Sequence, residues 1–186
     1  MVNNELLKLY ILELNTQCNL SMLAINDLEM LVSKYNKNVK EGYIFDDPIW
    51  YTIQNLLVCT ANISKILWPQ NNDERGLELR KLLKIDDKSP LASRKLRNHF
   101  EHFDERLKDW GQKADLNNFI DRYIGNVKNF KLIDIKNTFR CFDNYRWTVT
   151  FQGEEYQLIP IIISLKNLYK ETELVKMVIL NEWIFY

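Results

Sequence analysis

Most of the chain up to about residue 110 alternates between apolar stripes at helical spacing and short polar breaks. Apolar residues recur every third or fourth position over residues 4–34, and again after Asp47, where Pro48 suits the first position of a helix. A shorter helical segment ends near Lys84, and the polar stretch at residues 15–17 indicates a bend in the first helix. This pattern predicts a helical bundle.

The best-marked helix covers residues 90–110. Ser89 is a preferred N-cap residue, Pro90 fits the first helical position, and Gly111 suits a helix end. The apolar residues follow one another at intervals of three and four, which lines them along one side: Leu96, Phe100, Phe103, Leu107 and Trp110. We expect that side to face a core and the polar residues to lie opposite.

Beyond Gly125, β-branched and aromatic residues replace the helical pattern. Strands are predicted over residues 138–142, 146–151 and 156–159, with a turn at residues 152–154. A last helix opens at Pro160, and a brief fifth helix is predicted over residues 115–123. The predicted class is therefore mainly α: an antiparallel helical bundle, then an antiparallel β hairpin or three-stranded sheet, and a final helix.

Length and composition favour one domain. The chain has 186 residues, of which 46% are hydrophobic. We expect residues 1–125 to form the bundle, residues 126–186 to pack on it, and the aromatic tail at residues 183–186 to dock.

The formal net charge is zero, so the whole chain has no electrostatic footprint for nucleic acid. Basic residues outnumber acidic ones between Arg75 and Arg97, which predicts either a local phosphate-binding patch or ordinary solvated helix faces.

Cysteine usage and hydropathy indicate the cellular compartment in which the protein is expected. Cys18, Cys59 and Cys141 are widely spaced, which predicts neither a zinc site nor a disulfide framework. The first residues do not resemble a signal peptide, and no apolar run is long enough for a membrane span. The expected location is the cytoplasm.

The polar side of the helix at residues 90–110 concentrates reactive side chains. Its members lie away from the apolar stripe: Arg94, Asn98, Glu101, His102, Glu105 and Asp109, with Arg97 at the shoulder. His99 flanks the stripe, so a buried core histidine is a fair interpretation of it. Arg97 and Glu101 are also an ordinary i,i+4 ion pair, and a solvated face is the alternative interpretation of the whole group. His99, His102 and Glu105 lack further ligands elsewhere, so neither a metal nor another cofactor is expected.

The run Arg97-Asn98-His99-Phe100-Glu101-His102 resembles the Arg-Asn-x-x-x-His signature of the HEPN superfamily. Many members of this superfamily of small all-helical domains are RNases of toxin–antitoxin and defence systems. The longer run over residues 97–107 resembles a subset of uncharacterised bacterial HEPN-like proteins. The resemblance covers one helix and implies a HEPN-like bundle, a homodimer, metal-independent RNA cleavage and a cognate antitoxin as a further partner.

The resemblance also implies roles for individual residues. Arg97 would clamp the phosphate, Asn98 would position it, and His102 would be the general acid or base. Arg94, His99 and Glu105 are candidates for substrate binding. In this chemistry a 2′-hydroxyl attacks the adjacent phosphate, and an imidazole suits the proton transfers because it titrates near neutrality.

Geometry restricts how these residues can meet. On a regular helix Arg97 and His102 lie about 140° apart around the axis. Convergence on one phosphate therefore needs the long reach of Arg97, a bend at the motif, or two copies of the helix across a two-fold axis. Glu101 and Glu105 would repel a phosphate, or they could hold His102 in position. The alternative function is a catalytically inactive HEPN-like module that binds a nucleotide or a protein.

Overall fold

The computed structural model describes residues 4–38, 47–71, 74–129 and 134–184, and these ranges form a mainly α structure. Six α-helices and four strands occur in the described ranges. The helices are α1 (Asn4–Asn38), α2 (Asp47–Leu67), α3 (Glu74–Leu82), α4 (Lys95–Glu101), α5 (Phe103–Gly111) and α6 (Leu158–Ile184). The strands are β1 (Tyr123–Ile124), β2 (Arg140–Asp143), β3 (Thr148–Phe151) and β4 (Glu154–Gln157). The mainly α class is confirmed, and no helix in these ranges combines the length and the apolar content that a bilayer crossing requires.

The chain divides into two compact units. The first unit comprises Met1–Ile25, Asn55–Arg94 and Ile161–Tyr186, and the second comprises Asn26–Gln54 and Lys95–Pro160. Helical apolar side chains form the core of the first unit, among them Leu14, Cys18, Ile63, Leu67 and Leu165. The core of the second unit contains three fully buried phenylalanines, Phe139, Phe142 and Phe151, beside aliphatic side chains such as Leu28 and Ile53. The prediction that the aromatic tail at residues 183–186 docks concerns side chains that lie outside the described part of the structure.

The bend predicted at residues 15–17 is wrong, because α1 runs through them as continuous helix. Asn15 is buried there, and its side-chain amide donates to the Thr172 hydroxyl at 3.4 Å. The Lys176 ammonium donates to the Asn15 side-chain oxygen at 2.9 Å. The side chains of Thr16 and Gln17 donate to Leu12 and Glu13 one turn earlier in α1, so all three polar residues are satisfied without a break in the helix.

The sheet has four strands in the order β1-β2-β3-β4. The three antiparallel strands β2, β3 and β4 confirm the prediction, and the turn between β3 and β4 is confirmed at Gln152 and Gly153. Both turn residues have positive φ, 49° and 85°, which matches the twist of a two-residue hairpin. The sequence did not predict β1, which pairs in parallel with β2. Two residues are too few to show a strand alternation.

The helix predicted over residues 115–123 is wrong. The segment starts with a turn in which the Asn117 N–H donates to the Asp115 carboxylate at 3.0 Å. Ile120 is then extended: its N–H donates to the Asn137 carbonyl at 2.9 Å, and its carbonyl accepts from the Phe139 N–H at 2.8 Å. These bonds to a distant segment replace the helical ones and lead directly into β1.

The single helix predicted over residues 90–110 is also wrong. It is three pieces: a 3₁₀ turn at Pro90–Ala92, then α4, then α5. Ser89 caps the first piece as predicted, since its hydroxyl accepts from the Leu91 N–H at 3.4 Å. Ser93 is extended and separates the 3₁₀ turn from α4, and His102 separates α4 from α5 with φ −99° and ψ 39°. The predicted end at Gly111 is confirmed.

Candidate functional site

The Arg-Asn-x-x-x-His residues lie at the junction of α4 and α5, in the second unit. Each helix is anchored to the sheet by its own aromatic ring: Phe100 packs against Phe151 and Phe103 against Phe139, each with centroids 5.6 Å apart. His102 lies between these two anchors, in a backbone conformation that interrupts the helix. Leu107, expected in the apolar stripe, is 42% exposed, although Phe103 and Trp110 of the same helix both pack on Phe139.

Arg97 lies on α4 and is paired within its own helix. One of its terminal nitrogens is 3.0 Å from a carboxylate oxygen of Glu101, and its side chain is 22% exposed. Its Nε is buried and has no hydrogen-bond partner in the described structure. The guanidinium is therefore held against the helix by a carboxylate, as the i,i+4 interpretation predicted, and it does not meet His102 within one chain.

His102 and Asn98 are exposed beside the break. The His102 side chain is 57% exposed, and its Nδ1 lies 3.8 Å from a carboxylate oxygen of Glu105. Within the described ranges, Glu105 is the residue with which His102 forms an ion-pair contact, and no guanidinium lies beside the His102 ring. Asn98 makes no side-chain hydrogen bond in those ranges. Both side chains are therefore exposed to solvent, and Glu105 lies beside His102.

His99 points into the second unit and not toward His102. Its ring stacks on Phe151 with centroids 4.7 Å apart and an interplanar angle of 13°. Its Nε2 is 2.7 Å from the Tyr156 hydroxyl and 4.0 Å from Glu154, and its side chain is 16% exposed. This arrangement agrees with the interpretation of His99 as a core histidine and leaves little of it for an RNA strand to reach.

Burial decides how the His99–Tyr156 pair titrates. Desolvation, aided by the nearby Arg106 guanidinium, holds the pKa of His99 below its ordinary value. Desolvation and the hydrogen bond to Glu154 raise the pKa of Tyr156. Both groups are therefore neutral at neutral pH, which suits a ring stacked on an aromatic face.

Arg94 does not lie with the motif residues: it contacts the C-terminal end of α2, in the first unit. Its guanidinium donates to the Trp68 carbonyl at 3.3 Å, and Arg80 donates to the neighbouring Leu67 carbonyl. Arg75 in turn stacks on the Tyr10 ring, 4.3 Å from its centroid. These arginines satisfy carbonyls and an aromatic face, so the basic run at residues 75–97 is in good part structural rather than a free phosphate patch.

The sequence missed the contacts that hold α4 and α5 to the hairpin. Lys95 forms an ion pair with Glu154, and the Gln152 side chain donates to the Arg106 carbonyl at 2.8 Å. Glu154 and Tyr156 are two residues apart and so share one face of β4, which is the signal that points them at the same neighbour. Nothing in the one-dimensional pattern indicates that this neighbour is the helix carrying the motif.

The spacing of His99, His102 and Glu105 would also allow these three side chains to be considered as metal ligands. No group of three or more His, Cys, Asp or Glu side chains suited to a metal ion occurs in the described ranges. The opposite surroundings of the two imidazoles explain this, since one is packed in a core and the other faces solvent.

Comparison with known proteins adds no relative: no family model, curated protein or solved structure matches the chain. The resemblance to the HEPN superfamily therefore rests on the motif residues themselves.

Proposed function

We propose that the chain is a HEPN-like, metal-independent endoribonuclease of the toxin or defence type that acts in the cytoplasm as a homodimer. The observation that supports this best is the exposure of His102 and Asn98 next to the helix break at His102. A bend at the motif is one of the conditions under which these residues can converge on a phosphate. A cognate antitoxin would act by covering the same surface.

In the proposed reaction His102 takes the proton of a 2′-hydroxyl, whose oxygen attacks the adjacent phosphorus. The 5′-oxygen leaves with a proton supplied by a second acid, and a 2′,3′-cyclic phosphate forms. The second copy of the chain would supply that acid as its own His102 across a two-fold axis, an arrangement that makes the site composite. Arg97 would stabilise the charge on the phosphorane once the phosphate replaces Glu101 as its partner.

The direct test is incubation of the purified protein with structured RNA in the presence of a chelator. We expect cleavage with 2′,3′-cyclic phosphate ends, and a loss of at least about a hundredfold in rate for His102→Ala, the usual scale of acid–base catalysis. Lys108→Ala is the matched control, since it removes a side chain from the exposed surface of α5 outside the motif. Equal rates for His102→Ala and the parent protein would rule out the proposal.

The second candidate is a catalytically inactive HEPN-like module that binds a nucleotide or a protein. The two pairings Arg97–Glu101 and His102–Glu105 favour it, because each places a carboxylate on a residue that cleavage would need. Glu101→Gln separates the candidates. An RNase should cleave faster when Arg97 is released, whereas an inactive module stays silent and changes only in binding.

A further inference from the structure

A cavity of about 530 Å³ opens in the first unit between the segment that follows α3 and the middle of α6. Its floor is apolar and buried, formed by Leu83, Leu91 and Leu168. The volume lies within the range of about 300–1,000 Å³ that small-molecule sites occupy. None of residues 97–102 lines the cavity, so a ligand site there would be independent of the proposed RNase function.

The rim of this cavity carries an excess of positive charge. Of its two carboxylates, Glu171 is paired with the Lys84 ammonium at 3.1 Å, and Asp86 accepts from the Lys88 backbone N–H at 2.7 Å. The ammonium groups of Lys88 and Lys170 form no ion pair with any described residue. They therefore remain available to an anion that enters the cavity.

Two polar side chains of α6 also line the cavity with free hydrogen-bonding groups. Ser164 and Asn167 are three residues apart, so they lie on the same face of α6. Neither makes a side-chain hydrogen bond within the part of the chain that the structure describes. A purely apolar ligand would desolvate these groups without pairing them, and a cation would be repelled by the rim.

We propose that this cavity binds a small organic anion with an apolar body. The body lies on the leucine floor, the anionic group is held by Lys88 and Lys170, and Ser164 and Asn167 orient the ligand. A phosphate monoester and a carboxylate share this chemistry.

The test uses 1-anilinonaphthalene-8-sulfonate, which joins a fused aromatic body to one anionic group. A fluorescence titration of the full chain should show saturable binding of one dye per chain with a Kd on the order of 10 µM. In Lys88→Glu/Lys170→Glu the affinity should fall at least about tenfold, because two attractive charges become repulsive. Lys65→Glu/Lys81→Glu is the matched control with the same change of net charge on exposed residues outside the cavity, and it should bind as the parent protein does.

A second variant tests the cavity itself. Ser164→Phe narrows the cavity with an aromatic ring and leaves both lysines in place, so it should also weaken binding, and a thermal melt checks that it folds. If it does not fold, the surface variant Lys88→Glu/Lys170→Glu carries the test. Displacement of the dye by adenosine monophosphate assigns a phosphate ester, and displacement by octanoate assigns a carboxylate. Dye affinity unchanged by the Lys88 and Lys170 substitutions, or displacement by neither competitor, would overturn the proposal.

Discussion

At the scale of single residues, the two histidines of the chain have opposite surroundings although only three positions separate them. His99 is stacked on Phe151 and bonded to Tyr156, whereas His102 is exposed beside Glu105. His99 lies on the side of α4 that packs against β3 and β4, whereas His102 lies at the break between α4 and α5. A side chain that must exchange protons with a substrate needs access, and His102 has it.

The lowered pKa of His99 predicts a pH dependence of stability. Because the unfolded chain binds a proton near the ordinary value of 6.5 and the folded chain does so only at lower pH, the free energy of unfolding should decrease as pH falls through 6.5. Urea denaturation between neutral and mildly acidic pH measures this. His99→Gln should remove the dependence in that range, and His102→Gln, on the exposed histidine, should retain it. An equal pH dependence in the parent protein and in His99→Gln would contradict the assignment.

At the scale of elements, α5 begins without the side-chain cap that most helices use. His102 occupies the N-cap position and makes no side-chain capping hydrogen bond, although Asp104 and Glu105 in the first turn suit the helix dipole. The histidine is therefore not the residue that stability alone would favour at this position. Under the proposed function, His102 is kept at this position for catalysis.

This predicts a trade between stability and activity at one residue. His102→Asn should raise the free energy of unfolding by about 0.5–1 kcal/mol, because the amide oxygen can accept from an N–H in the first turn of α5. The same variant should lose RNA cleavage. Urea denaturation and the cleavage assay measure the two effects, with His102→Ala as the control that loses cleavage without gaining a cap. A less stable His102→Asn would show that the break does not act as a helix start.

The C-terminal end of α2 gives a second prediction for an element. Arg94→Ala should lower the free energy of unfolding by about 1 kcal/mol, because the Trp68 carbonyl loses its charged donor. Lys65→Ala is the control: it lies in the last turn of α2 but is exposed, so its effect should be a few tenths of a kcal/mol. Thermal or urea denaturation distinguishes them. Equal losses would mean that Arg94 acts through charge alone.

At the scale of the whole molecule, one chain does not bring a guanidinium to His102 within the described ranges. Under the proposed function, a second copy brings its own Arg97 and His102 to the site, so the assembly and not the fold completes the site. The neutral net charge gives the whole chain no general attraction for RNA, so any attraction would have to arise locally.

The proposal predicts that the active form has twice the mass of the chain. Sedimentation equilibrium should show a dimer for the parent protein, and Asn98→Glu should shift it toward monomer, since the two-fold axis would bring the new carboxylates together. Asn117→Glu adds the same charge at an exposed position outside the motif and should remain dimeric. A monomer that cleaves RNA at full rate would exclude the composite site.

The sequence by itself determined the elements whose signals are local. The apolar periodicity of α1, α2 and α6 and the turn at Gln152 and Gly153 depend on neighbouring residues, and they were predicted correctly. The candidate motif residues were chosen from an equally local signal, because their spacing is a property of one segment, and their role stays a prediction.

Tertiary structure decided the rest, because it depends on partners that are distant in the chain. Strand β1 exists through its pairing with β2, and the helix break at His102 accompanies two phenylalanine rings that dock separately on the sheet. The burial of His99 and the use of Arg94 to satisfy a carbonyl at the end of α2 have the same origin. Long-range packing and hydrogen bonding can override a local helical pattern, and in this chain they did so at the segment that carries the motif.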